Sequence, residues 1–140
     1  MPLYAVALLC PVHMGLAQSP PDAAALIGKW ELFSVRGMET TIPREKMEIT
    51  AKTLEILDNC NEQSYTYTIN NGELTAKPPA LITLVACSDE TQAHNQRSIV
   101  TAIVHSTVQL SGDTLQLTPL PRPSNGELVF LRKLEFRREK

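Results

Sequence analysis

The sequence predicts an α+β domain, mostly β: a strongly bent antiparallel sheet or small barrel of about eight short strands, with one helix packed on it. Three observations lead there. Short stretches alternate apolar and polar residues with period two, as in Tyr65, Tyr67 and Ile69 against Thr66 and Thr68. Turn residues separate them, most clearly Asn71-Gly72 and Ser111-Gly112-Asp113. After Ser88-Asp89, apolar residues recur at helical spacing, and no other stretch does this convincingly.

The chain has 140 residues, room for one domain with a modest core. It is 43% apolar and 20% charged, which places it outside the disordered regime. A formal charge of −2 leaves no electrostatic footprint for a nucleic-acid partner.

The first 17 residues read as a secretory signal. A short apolar run ends in Gly15-Leu16-Ala17, whose small residues suit a peptidase cleaving before Gln18. There is no Lys or Arg ahead of the apolar run. Pro11 and His13 interrupt it, so a transmembrane anchor is not expected. Bulky Leu9 precedes Cys10 where lipoprotein signals carry a small residue, which disfavours lipid anchoring at Cys10. Cleavage would leave a mature chain with two cysteines in a periplasmic or secreted setting. Residues 18–25 read as a linker and 26–140 as the domain.

The elements follow in order. Lys29 to Val35 is a strand carrying Trp30, ended by Arg36-Gly37. Met47 with Ile49, and Leu54 with Ile56, mark two further short strands. Ser64 to Ile69 and Glu73 to Lys77 form a hairpin about Asn71-Gly72, whose residues accept the positive φ angles of a tight turn. Pro78-Pro79 stops it, and Leu81 to Cys87 is another strand. Ser88-Asp89 then caps a helix with Ala93, Arg97, Val100 and Val104 along one stripe, widened by Ile99 and Ile103. Val108 to Leu117 makes a second hairpin, Pro119 to Gly126 a loop, and Leu128 to Phe136 the last strand.

Cys60 and Cys87 flank the first hairpin. In a short exported chain this suggests a disulfide closing a loop of about 28 residues, worth on the order of 3–4 kcal/mol. Buried free thiols remain the alternative. A metal or redox site is disfavoured, because no CxxC is present and His94 and His105 are too far apart to share a helical turn. Trp30, Tyr65 and Tyr67 are candidates for ligand contact or, more simply, for the core. The basic stretch Arg132-Lys133, Arg137-Arg138 and Lys140 is interspersed with Glu135 and Glu139 and reads as a solvated strand face. No nucleophile elbow, HExxH or phosphate loop appears, so no catalytic residue, cofactor or metal is expected.

The Trp-bearing first strand, Cys60-Asn61, the Ser64-Tyr65 strand, Asn71-Gly72-Glu73-Leu74 and Thr83-Leu84-Val85-Ala86-Cys87 together resemble the META/HslJ family. Asn59 stands where that family commonly has Gly. The resemblance implies a bent sheet or barrel in an envelope-associated or secreted, non-catalytic protein. It further implies a role in stress or antibiotic tolerance, motility or secretion, with an unknown protein or envelope component as partner and a monomeric chain. Gly28-Lys29-Trp30 also resembles the lipocalin and fatty-acid-binding families, where a Trp at the closed end of the barrel packs beneath a C-terminal Arg. That implies a carrier of an apolar ligand, with Arg132, Arg137 or Arg138 as the partner of Trp30. A third possibility is a secreted protease inhibitor presenting the loop Pro119 to Gly126.

Overall fold

The computed structural model describes residues 20–36, 38–39, 45–57, 61–77, 81–82, 90–124, 126–129 and 132–140. A short helix α1 (Ala23–Leu26) leads into β1 (Gly28–Val35), β2 (Met38–Glu39), β3 (Lys46–Ile49) and β4 (Thr53–Leu57). The hairpin β5 (Glu62–Asn70) and β6 (Glu73–Ala76) follows, then β7 (Leu81–Ile82) and the long helix α2 (Glu90–Val104). The chain closes with β8 (Ser106–Ser111), β9 (Thr114–Pro119), β10 (Arg122–Ser124), β11 (Glu127–Val129) and β12 (Leu134–Arg138).

Eight of these strands form a closed antiparallel barrel in the order β12-β9-β8-β6-β5-β4-β3-β1. Closure comes from β1 pairing with β12, Trp30 opposite Arg138 through Val35 opposite Leu134, with a register shift between Leu32 and Ser34. A closed sheet leaves no long unpaired edge. β2 and β7 extend the pairing of β1 and β5, and β10 with β11 forms a separate hairpin.

Period-two alternation explains the interior. Trp30 and Leu32, Met47 and Ile49, Leu54 and Ile56, Leu115 and Leu117, and Leu134 and Phe136 all point inward and join one buried cluster. The three hairpin turns β3–β4, β5–β6 and β8–β9 share one end of the barrel with the start of β1 and the end of β12. The α2–β8 junction adjoins the β5–β6 hairpin, with Ser106 opposite Leu74 and His105 3.1 Å from Glu73. There α2 packs on β6, β9 and β12 and buries Ile99, Ala102 and Ile103.

The end that holds these hairpin turns will be called the strap end. At the strap end Pro20 lies against Gly72 in the β5–β6 turn. The chain then runs through α1 to β1, which stands four strands from β6 in either direction around the barrel. Residues 20–27 therefore cross the mouth from one wall to the opposite one. The described part of the expected 18–25 linker belongs to this strap.

Three local expectations change. The buried face of α2 is Ile99, Ala102 and Ile103, whereas Arg97 and Val104 are exposed. β9 continues to Pro119, and the expected loop contains the β10 strand of a hairpin. The expected last strand is split into β11 and β12, because the chain leaves this hairpin before entering the barrel wall.

Candidate functional site

The strap end is the most elaborated region among the described residues. Asp22 caps α1 by accepting the Ala25 amide at 2.9 Å. Leu26 is 1% exposed and fills the mouth, while its carbonyl accepts the Trp30 indole N–H at 2.9 Å. Trp30 is fully buried, so this bond satisfies a donor that would otherwise be stranded.

Arg138, near the C-terminus, holds the strap from the other side. Its Nη1 donates to the Ile27 carbonyl at 2.8 Å and its Nη2 to the Ala25 carbonyl at 3.0 Å. Its Nε lies 3.8 Å from Asp113. The guanidinium carbon sits 4.2 Å from the Trp30 ring centroid. One planar fork thus ties the strap, the Trp30 ring and β12 together. Gly28 makes this possible: its φ is +145°, and a Cβ there would lie 2.5 Å from Arg138 Nη1.

The other basic residues of the C-terminal stretch take separate roles. Arg137 stacks over Phe33 on the outer wall at 4.2 Å. Lys133 pairs with Glu135 at 3.1 Å. A groove of about 440 Å³ runs along this wall, lined by Glu31, Arg137, Arg138, Glu139 and Lys140. Lys46 reaches Glu139, whose hydrogen bond and charge raise the Lys46 pKa.

Tyr65 is buried in the core cluster and Tyr67 packs against it half-buried. The Tyr67 hydroxyl donates to the Thr50 carbonyl at 2.7 Å, and the Tyr65 hydroxyl donates to Gln63. Burial pushes both phenols above their ordinary pKa, so both act as donors at neutral pH. A second depression of about 140 Å³ lies between β4 and β5, lined by Glu55, Leu57, Glu62, Gln63 and Ser64. Both depressions are lined mainly by charged and polar side chains of the outer wall.

The structure therefore brings Trp30 and Arg138 together and places Tyr65 and Tyr67 on the inner face of β5, three strands from β1. Cys60, Cys87 and Cys10 lie outside the described residues. Among the described residues no three His, Cys, Asp or Glu side chains gather as a metal site would require. Sequence reasoning named three arginines for Trp30 and could not choose among them. It missed Leu26 and Ile27 as strap residues, for which the only signal was an Ala-rich run beside a strand, and it read Gly72 as a turn residue without its contact to Pro20.

Two solved structures share this architecture at low sequence identity. One, an NMR structure, is 21% identical with a TM-score of 0.65, covering 84% of this chain and 94% of its own. Another, an NMR structure of a protein from Burkholderia xenovorans, is 18% identical with a TM-score of 0.56, covering 95% of this chain and 99% of its own. At these identities the likeness extends to the fold alone. No curated protein matches the chain. The profile of the META domain matches residues 24–135, from the strap to the closing strand, and the chain belongs to the META domain family.

Proposed function

We propose that this chain is an exported META-domain protein that acts by binding, without turnover, at the cell envelope or outside the cell. Its role lies in stress or antibiotic tolerance, motility or secretion, and its partner is a protein or another envelope component. The chain works as a monomer and uses no cofactor. The observation that carries the binding reading is how the polar groups of the strap end are used. The Arg138 fork, the Trp30 N–H and the Tyr67 hydroxyl are all spent on main-chain carbonyls that hold the barrel shut. Groups committed in this way are poorly placed to act as general acids, bases or nucleophiles.

Export is supported by the Gly15-Leu16-Ala17 junction ahead of a strap that begins within three residues of it. The test is fractionation of host cells followed by intact mass and N-terminal sequencing. A mature chain starting at or near Gln18 in the periplasm or medium is expected. A chain retaining Met1 in the cytosol would overturn the reading, and a diacylated Cys10 would replace it with a lipoprotein.

Trp30 beneath Arg138 favours a second reading, a lipocalin-like carrier of an apolar ligand. Against it, the inner faces of the strands and of α2 are packed into one apolar cluster. Native mass spectrometry of protein from its own host separates the two: a stoichiometric apolar molecule supports the carrier, and an unliganded chain supports the first reading.

A further inference from the structure

The β5–β6 turn holds both halves of a self-modification reaction, and we propose that Asn71 is a deamidation site which the strap keeps closed. In an Asn-Gly pair the main-chain nitrogen meets the side chain with little obstruction, because glycine has no Cβ to crowd the approach. Asn71 is exposed and carries the electrophile, its carboxamide carbon. Gly72 is buried and carries the nucleophile, its amide nitrogen. Once solvent base removes the Gly72 amide proton, that nitrogen bonds to the Asn71 Cγ. The Cγ–Nδ2 bond breaks, and Nδ2 takes up a proton from water and leaves as ammonia. The resulting succinimide ring adds water at either carbonyl. Opening at Cγ leaves an aspartate. Opening at the main-chain carbonyl leaves an isoaspartate, whose main chain runs through Cγ and is one carbon longer.

The fold holds the two halves apart. Ring closure needs the Gly72 nitrogen eclipsed with the Asn71 Cβ about the Cα–C bond. The turn holds a different rotation: φ is +50° at Asn71 and +76° at Gly72, the two-residue type I′ pattern with Asn70 opposite Glu73. A hairpin tip left to itself opens readily. This one is clamped, because the Gly72 carbonyl accepts the Val108 N–H at 2.8 Å and Pro20 lies against Gly72. Pro20 begins the strap, whose far end Arg138 holds through the Ala25 and Ile27 carbonyls. The nitrogen therefore meets base and rotates only while the strap is lifted, so the rate follows the population of that open state.

The product does not return to the closed state. Isoaspartate puts one more atom into a two-residue turn, so the pairing of Asn70 with Glu73 and the bond from Val108 cannot both persist. Pro20 then loses the surface it rests on, and the strap stays loose at that end. Accumulated isoaspartate is thus a one-way record of how long the strap has been lifted.

The test incubates the full chain at neutral and mildly alkaline pH in heavy-oxygen water. Peptide mass spectrometry measures conversion at Asn71, and isoaspartyl methyltransferase labelling separates the two products. Conversion in the folded chain should be slower by about ten-fold or more than in the same chain held in urea. Pro20→Gly removes the ring above Gly72 and leaves the Asn-Gly pair intact, so it should speed conversion roughly five-fold or more. Ile56→Val, a core truncation in β4, should not, even where it lowers the urea midpoint further. The isolated isoaspartate form should exchange its Val108 amide hydrogen faster than the parent does. Equal rates in the folded and urea-held chains overturn the proposal, as does Pro20→Gly converting no faster than the parent. Acceleration by Ile56→Val as large as by Pro20→Gly would place the gate in global unfolding and overturn it too. So would an isoaspartate form whose Val108 exchange is unchanged.

Discussion

Pro20 and Gly72 meet so closely that a Cβ on Gly72 would lie 2.9 Å from the Pro20 Cβ. That contact pins the start of the strap to the wall opposite β1. It also means that Gly72 serves two purposes, since its φ of +76° completes the turn begun by Asn71 at +50°.

Gly72→Ala should therefore cost about 1–3 kcal/mol, from backbone strain and from the clash together. A urea titration of the two chains measures it. In a Pro20→Gly background the steric part should disappear and the backbone part remain, so the cost should fall without vanishing. An unchanged midpoint in Gly72→Ala would show that the strap does not seat on this turn.

Arg138→Met should destabilise the protein by roughly 2–4 kcal/mol, since it removes two charge-assisted bonds to carbonyls and the stacking on Trp30. Arg138→Lys should recover little, because an ammonium cannot reproduce the planar fork that reaches Ala25 and Ile27 at once. Hydrogen exchange adds a spatial check, with faster exchange expected in residues 22–30. Full rescue by Lys would reduce the role of Arg138 to charge alone.

Alkaline pH should weaken the fold through the tyrosines. Burial raises the Tyr65 and Tyr67 pKa above 10.0, so their folded states hold protons more tightly than the unfolded chain does. Stability from this source is intact below about pH 10 and is lost as pH climbs through the folded values. Tyr67→Phe should flatten the alkaline slope and cost about 0.5–1.5 kcal/mol at pH 7 through the bond to Thr50. Chemical denaturation at pH 7 and in the alkaline range, with phenolate absorbance recorded alongside, tests both statements. An identical slope in the variant would count against them.

Cys60 and Cys87 should be bonded in the exported protein. Mature chain denatured without reductant should show no free thiol to Ellman's reagent. Replacing either cysteine with Ser should cost about 2–4 kcal/mol. Two reactive thiols in protein recovered from the oxidising compartment would make them ordinary core residues.

Residue patterns along the chain fixed the structure that local chemistry controls. The alternation through Tyr65, Tyr67 and Ile69 placed those side chains on one inner face, and Asn71-Gly72 set the β5–β6 register, with Asn70 opposite Glu73. Such patterns, from Trp30 to the Asn71-Gly72-Glu73-Leu74 turn, also sufficed to indicate the family. Contacts between parts distant along the chain were settled by packing alone. Which strand closes the barrel against β1, which of three arginines covers Trp30, and where the strap lies depend on how loops return and what they pack against. None of these leaves a periodic trace. The same holds for α2: the stripe read through Arg97 and Val104 is exposed at both, and packing against β6, β9 and β12 selected Ile99, Ala102 and Ile103.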